Sequence, residues 1–190
     1  IQNDGLLNVT DSNITNSHTP AYGYGFTAHL GSTLTTLNSR ISGAGTNNPE
    51  VSNTKGGLVI NTTDAVIENT TIYSDENYIN GLIISGANNQ ILASTITLAN
   101  SGTTLQRGVL LTSSSSGNTL INSTVNLTSH YGEIIYLMEN STGNSLQENT
   151  FTIQGNESYG IRIRGAYEND FINNIINVSG DNSYSITMSD

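Results

Sequence analysis

Cysteine is absent and basic residues are scarce: five lysines and arginines stand against fifteen acids in 190 residues, a formal charge of −10. Without cysteine there are no disulfides and no thiolate metal sites. The five cations are Arg40, Lys55, Arg107, Arg162 and Arg164. They are too few and too dispersed to neutralise a run of phosphates, which argues against nucleic acid as a partner. The same deficit disfavours an anionic membrane surface. No apolar run approaches the roughly 18 residues that span a bilayer, so no membrane insertion of this segment is expected. Charged residues make up 11% of the chain, well below the ~25% usual in soluble domains, and Asn, Ser and Thr fill the gap. The first residue is Ile1 rather than Met, and residues 1–190 are expected to form a single domain cut from a longer chain.

Polar, weakly charged composition favours disorder unless apolar residues recur in a pattern. Here they do. One column reads Ile14, Ile41, Ile72, Ile96, Val125, Phe151 and Ile176, at spacings of 24 to 31 residues. Five residues before each stands a second: Val9, Thr36, Ile67, Ile91, Leu120, Leu146 and Phe171. Thr36 is the weak member, with Leu34 and Leu37 close by. Two residues after the first column come Leu98, Leu127, Ile153 and Val178. A further segment starts at a glycine and alternates, as in Gly57–Ile60, Gly81–Ile84, Gly108–Leu111 and Gly160–Ile163. Looser versions begin at Gly25, Gly132 and Ser183.

Alternation over three or four residues is strand periodicity with one face turned inward, and β-branched residues dominate it. No stretch sustains a helical period. Short strands of this kind also build antiparallel sandwiches. Like residues recurring at like positions favour a parallel solenoid instead, in which each turn of chain lies over the last. The polar positions repeat too. Three before the first column stand Asp11, Asn38, Asn69, Ala93, Asn122, Glu148 and Asn173, followed by Ser12, Ser39, Thr70, Ser94, Ser123, Asn149 and Asn174. These suit a bend: Asn tolerates the left-handed conformation, and stacked amides or hydroxyls form hydrogen bonds along the column. The expectation is an all-β parallel β-helix of about seven coils, roughly 30–35 Å long at ~4.8 Å per coil.

Segments such as Gly81–Ile96 and Gly160–Ile176 resemble the right-handed parallel β-helix repeat, G-I-x-I, a polar turn, then N-x-I-x-N-N-x-I. The resemblance covers nearly the whole chain and is strongest from Gly57 onward. It implies a right-handed, single-stranded coil. The Asn/Ser/Thr-rich, Lys-poor character is most similar to adhesin-like surface proteins of methanogenic archaea, which implies an extracellular location. The fold itself hosts lyases, hydrolases, tailspikes and adhesins, so it does not choose an activity.

Glycosidases need two carboxylates flanking one bond. The acids here are dispersed, with local groupings only at Asp75-Glu76, Glu168 with Asp170, and Glu133 with Glu139, all read as solvated turn or edge acids. Arg162 and Arg164 straddle Ile163 and are expected to point outward, with Arg107 in a turn two coils back. Glu133 and Glu148 are candidates to pair with these arginines in surface contacts of little energetic worth. His18, His29 and His130 are too far apart for the three or four ligands a zinc ion needs, so neither metal nor other cofactor is expected. Outward Thr-x-Thr positions at Thr95, Thr97, Thr150 and Thr152, with Thr124 and Asn126 between, sketch an ice-binding face interrupted by Arg40, Tyr73 and Ile175.

Residues 16–24 and 43–56 are insertions relative to the minimal coil, and such insertions often carry binding surfaces. His18, Tyr22 and Tyr24 are the candidate glycan contacts. Sequons at Asn8, Asn13, Asn61, Asn126, Asn140, Asn156 and Asn177 are candidate glycosylation sites; two more, at Asn69 and Asn122, fall in the bend column. The leading expectation is a non-enzymatic extracellular surface module: adhesin stalk, coat or filament subunit. Its partners would be cell-surface or extracellular glycans, or copies of itself joined through uncapped coil ends. The alternatives are a carbohydrate-binding or carbohydrate-active module and, behind it, ice binding.

Overall fold

The computed structural model describes residues 2–3, 6–15, 26–28, 33–42, 56–75, 79–100 and 105–190. Among these residues there are strands and no helix. The chain runs through repeated triads. The first three are β1 (Gln2–Asn3), β2 (Leu6–Thr10), β3 (Asn13–Thr15); β4 (Phe26–Ala28), β5 (Thr33–Leu37), β6 (Arg40–Ser42); and β7 (Gly56–Ile60), β8 (Val66–Glu68), β9 (Thr71–Ser74). Next come β10 (Asn80–Ile84), β11 (Gln90–Leu92), β12 (Thr95–Leu98), then β13 (Arg107–Leu111), β14 (Thr119–Ile121), β15 (Thr124–Leu127). The last are β16 (Glu133–Leu137), β17 (Ser145–Gln147), β18 (Thr150–Gln154), then β19 (Tyr159–Arg164), β20 (Asp170–Ile172), β21 (Ile175–Ser179), with β22 (Tyr184–Ser189) beginning another turn.

Each strand pairs in parallel with the strand three places away, so first, second and third members of the triads build three sheets, A, B and C. This is an all-β parallel solenoid. The columns are its registry. Ile41 lies over Ile72, Ile72 over Ile96, Ile96 over Val125, Val125 over Phe151 and Phe151 over Ile176. Thr36 holds its place between Val9 and Ile67 and is fully buried, its hydroxyl 3.0 Å from that of Thr70. A threonine fits the inner face because a second hydroxyl is there to meet it.

Sheet A is where the reading from sequence needs correction. The glycine column is real: a Cβ on Gly57 would stand 2.6 Å from Ile72 Cγ2 and 3.0 Å from the Gly81 carbonyl. Gly132 is outside it. In register, Glu133 pairs with Arg107 and Ile135 with Val109, which puts Ile134 opposite Gly108. Likewise Ile186 lies beside Ile161, so Ser185 rather than Ser183 matches Gly160. At Gly132 only the starting residue is misplaced, since Ile135, Tyr136 and Leu137 stand in register with Val109, Leu110 and Leu111; at Ser183 the reading is two residues out. Nor is the outward face of sheet A simply polar. Val59, Ile83, Leu110 and Tyr136 form one outward column, all buried, in a second apolar cluster apart from the inner core.

The bends follow one rule. Asp11, Asn38, Asn69, Ala93, Asn122, Glu148 and Asn173 all have φ between +45° and +56°. The residues after them carry the ladder: Thr70 N–H donates to Ser94 Oγ at 3.1 Å, Ser94 N–H to Ser123 Oγ at 3.1 Å, and Ser123 N–H to Asn149 Oδ1 at 2.8 Å. A second ladder, of buried asparagines, joins Asn89, Asn118, Asn144 and Asn169 at the turn between sheets A and B. At the last turn the inner columns lie open: Ile186 and Met188 are 55% and 75% exposed, whereas Ile161, beneath Ile186, is 1% exposed.

Candidate functional site

Two adjacent outward columns of sheet A gather most of the chain's unusual chemistry. One runs Arg107, Glu133, Tyr159, Tyr184; the other runs Tyr136, Arg162, Thr187. Strand register alone brings them together, since successive turns set equivalent residues about 4.8 Å apart. Glu133 is the centre. Its side chain is 1% exposed and each of its oxygens meets a guanidinium: Arg107 Nε donates to Oε2 at 2.5 Å and Arg162 Nη1 to Oε1 at 2.6 Å. Rings cover the arginines. The Tyr136 centroid lies 5.0 Å from Arg107 Cζ and 5.6 Å from Arg162 Cζ, and Tyr159 lies 5.3 Å from Arg162 Cζ. Tyr159 in turn stacks on Tyr184, centroids 5.7 Å apart and planes 14° from parallel.

Three of the five cations belong to this face, because Arg164 pairs with Glu139 at 3.2 Å on the same strand as Arg162. The Arg164–Glu139 pair is half-exposed and contributes little. The Arg107–Glu133–Arg162 triad is different. Its carboxylate is desolvated and is stable there because two donors replace its water. The hydrogen bond from Arg162 to Glu133 raises the arginine's pKa above its already high ordinary value, partly offset by burial. Arg162 is therefore charged at any working pH. Its side chain is still 39% exposed, so donors of the fork remain open to solvent.

The sequence reading paired Glu133 with these arginines but placed the contact at the surface; burial overturns that. It put Arg107 in a turn, whereas Arg107 opens strand β13; that strand is two coils before Arg162, as read, and sets Arg107 directly beside Glu133. Glu148 pairs with none of them: it is an exposed bend residue between sheets B and C. The tyrosines Tyr136, Tyr159 and Tyr184 were missed as a group. Their signal was present in the register, since Tyr159 and Tyr184 each precede the glycine-column position.

The candidate glycan contacts His18, Tyr22 and Tyr24 lie outside the described residues, as do His29, Glu76 and both insertions apart from Gly56. His130 is described; its Nδ1 accepts a hydrogen bond from Asn156 N–H at 3.2 Å. Of the sequon asparagines, Asn8, Asn13, Asn140, Asn156 and Asn177 are exposed, while Asn61 and Asn126 are half-buried. In the bend column, Asn69 Nδ2 donates to Asn38 Oδ1 at 2.7 Å. The threonine face lies on sheet C with Thr71, Thr95, Thr124 and Thr150 in one register column, bounded by Arg40 and Ile175. A groove of about 360 Å³ follows the bend at Asp11, Asn38 and Asn69. Among the described residues no group of three or more His, Asp or Glu is placed to hold a metal ion, and no helix is long and apolar enough to cross a membrane.

No protein-family model, no curated protein and no solved structure matches the chain. The geometry alone therefore carries the functional argument: a parallel β-solenoid with one arginine–tyrosine face on sheet A.

Proposed function

We propose that this chain is a non-enzymatic extracellular surface module, a rigid length of adhesin stalk, coat or filament similar in character to archaeal adhesin-like surface proteins. The observation that supports this reading is the continuity of the internal ladders. From Asn89 to Asn169 each turn hands the same amide hydrogen bond to the next. A chain built this way invests its repeat in stiffness along one axis, since stability is summed over neighbouring turns. The acidic surface, −10 overall, keeps such rods from adhering nonspecifically.

The test is surface labelling of intact cells of the source organism with an antibody to the folded chain. Labelling without permeabilisation is the expected result. Signal confined to the cell interior, or turnover of a polysaccharide by the purified chain, would overturn the reading.

A further inference from the structure

We propose that the sheet A cluster is a binding subsite for an acidic sugar residue, in which Arg162 receives the anionic group and the outward edges and hydroxyls of Tyr159 and Tyr184 flank the sugar. The charge balance points to an anion. In the ion pairs of this cluster three guanidinium groups, of Arg107, Arg162 and Arg164, share two carboxylates, Glu133 and Glu139, in a chain that carries −10 in total. One carboxylate or one sulfate would close that balance.

The fold does not require the charges. The register position held by Glu133 is occupied by Asn80 two turns earlier and by Tyr159 one turn later, and the columns stack equally well there. Burying a carboxylate with two guanidinium groups costs desolvation that an uncharged column avoids. What the triad achieves is placement: Glu133 and the Tyr136 and Tyr159 rings hold the Arg162 fork in one orientation while its outer side stays exposed. A fork held still in advance loses less freedom when it binds a planar anion.

The aromatic side fits a ring. Tyr184 is nearly parallel to Tyr159, so the pair presents ring edges with hydroxyl tips on the outward face beside the cation. A sugar bearing an acidic substituent matches both surfaces at once.

Calorimetric titration of the full chain with three trisaccharides of one backbone tests the proposal: a hexuronic acid form, a sulfated form and the uncharged form. The expected result is binding of at least one acidic form, at least tenfold tighter than the uncharged one and weakened by salt; the two acidic arms tell carboxylate from sulfate. Arg162→Gln should lower that affinity at least tenfold, and Tyr184→Ala several-fold, each measured on protein whose circular dichroism matches the parent. Glu133 keeps Arg107 in the first variant but loses its second donor, so its urea midpoint should fall while the fold is retained. Equal affinity for charged and uncharged forms, no binding of any form at millimolar concentration, or full affinity in folded Arg162→Gln would overturn it.

Discussion

The solenoid carries two polar ladders that solve one problem in different ways. At the turn between sheets A and B the rungs are asparagines; at the bend between sheets B and C most are hydroxyls. Asn118 shows what an amide does. Its Nδ2 donates to Gly86 O at 3.0 Å and Asn144 Oδ1 at 2.8 Å, and its Oδ1 accepts from Asn89 N–H at 2.9 Å and Asn89 Nδ2 at 2.8 Å. One side chain ties the turn before it to the turn after it. Ser94 has less reach. Its hydroxyl accepts from Thr70 N–H at 3.1 Å and donates to Leu92 O at 2.9 Å, within its own turn. The amide polymerises, whereas the hydroxyl caps.

The bend ladder changes type along the rod. From Asn149 onward it adopts the amide pattern, Asn149 Nδ2 donating to Leu120 O at 2.8 Å and to Asn174 Oδ1 at 2.9 Å. A bend can therefore accept either rung. The asparagine turn has no hydroxyl rung between Asn89 and Asn169.

Breaking the amide ladder should be the costlier of the two. Asn118→Ala leaves the buried Asn89 N–H and the Gly86 carbonyl short of partners, and should destabilise by about 2–4 kcal/mol in urea denaturation. A loss under ~1 kcal/mol would mean water replaces the rung. Next, Asn118→Ser converts the rung to the bend's type; it should recover part of that loss and remain about 1–2 kcal/mol less stable than the parent, since one hydroxyl cannot serve two turns. Ser94→Ala should cost roughly 1–2 kcal/mol, less than Asn118→Ala, because Thr70 N–H alone is left without this partner while the Leu92 carbonyl keeps Asn69 N–H. Equal losses at the two sites would erase the distinction between polymerising and capping. The smallest effect is expected at Ala93, the bend residue with φ of +46° and no side-chain polar group to favour it. Ala93→Asn should stabilise by up to about 1 kcal/mol, read as a higher urea midpoint with unchanged slope.

Much of this was legible in the residues. The Ile41-to-Ile176 column and the Val9-to-Phe171 column stand in register as their spacings imply, because burying like over like is the cheapest way to cover a repeated apolar face. The bend was legible too, through Asn38, Asn69, Asn122 and Asn173. Ala93 and Glu148 are poor left-handed formers, and they adopt that conformation because hydrogen bonds to the turns on both sides leave no other path for the chain. The asparagine rungs were written in the repeat, two residues before each Ile91-type position, but their role was hidden: abundance of asparagine masks which ones are buried.

The Arg107–Glu133–Arg162 face was legible only as a list of charges. Alternation turns Arg162 outward but gives Arg107 and Glu133 the parity of inward Val109 and Ile135. They face outward because Ile134 and Ile135 both enter the core, a break in alternation that only the structure shows. Burial at 1% exposure for Glu133 depends on which rings and guanidinium groups lie over it from neighbouring turns.

The residues by themselves determined the parallel coil, its two best apolar columns and the left-handed bend, because those depend on repeat spacing and local backbone preference. Tertiary structure decided the pairing on sheet A, where Ile134 and Ile135 both turn inward and so set Glu133 outward beside Arg107. With the neighbours it decided that Glu133 is a buried anion clasped by two arginines, since the energy of a charge is set by what stands beside it in space.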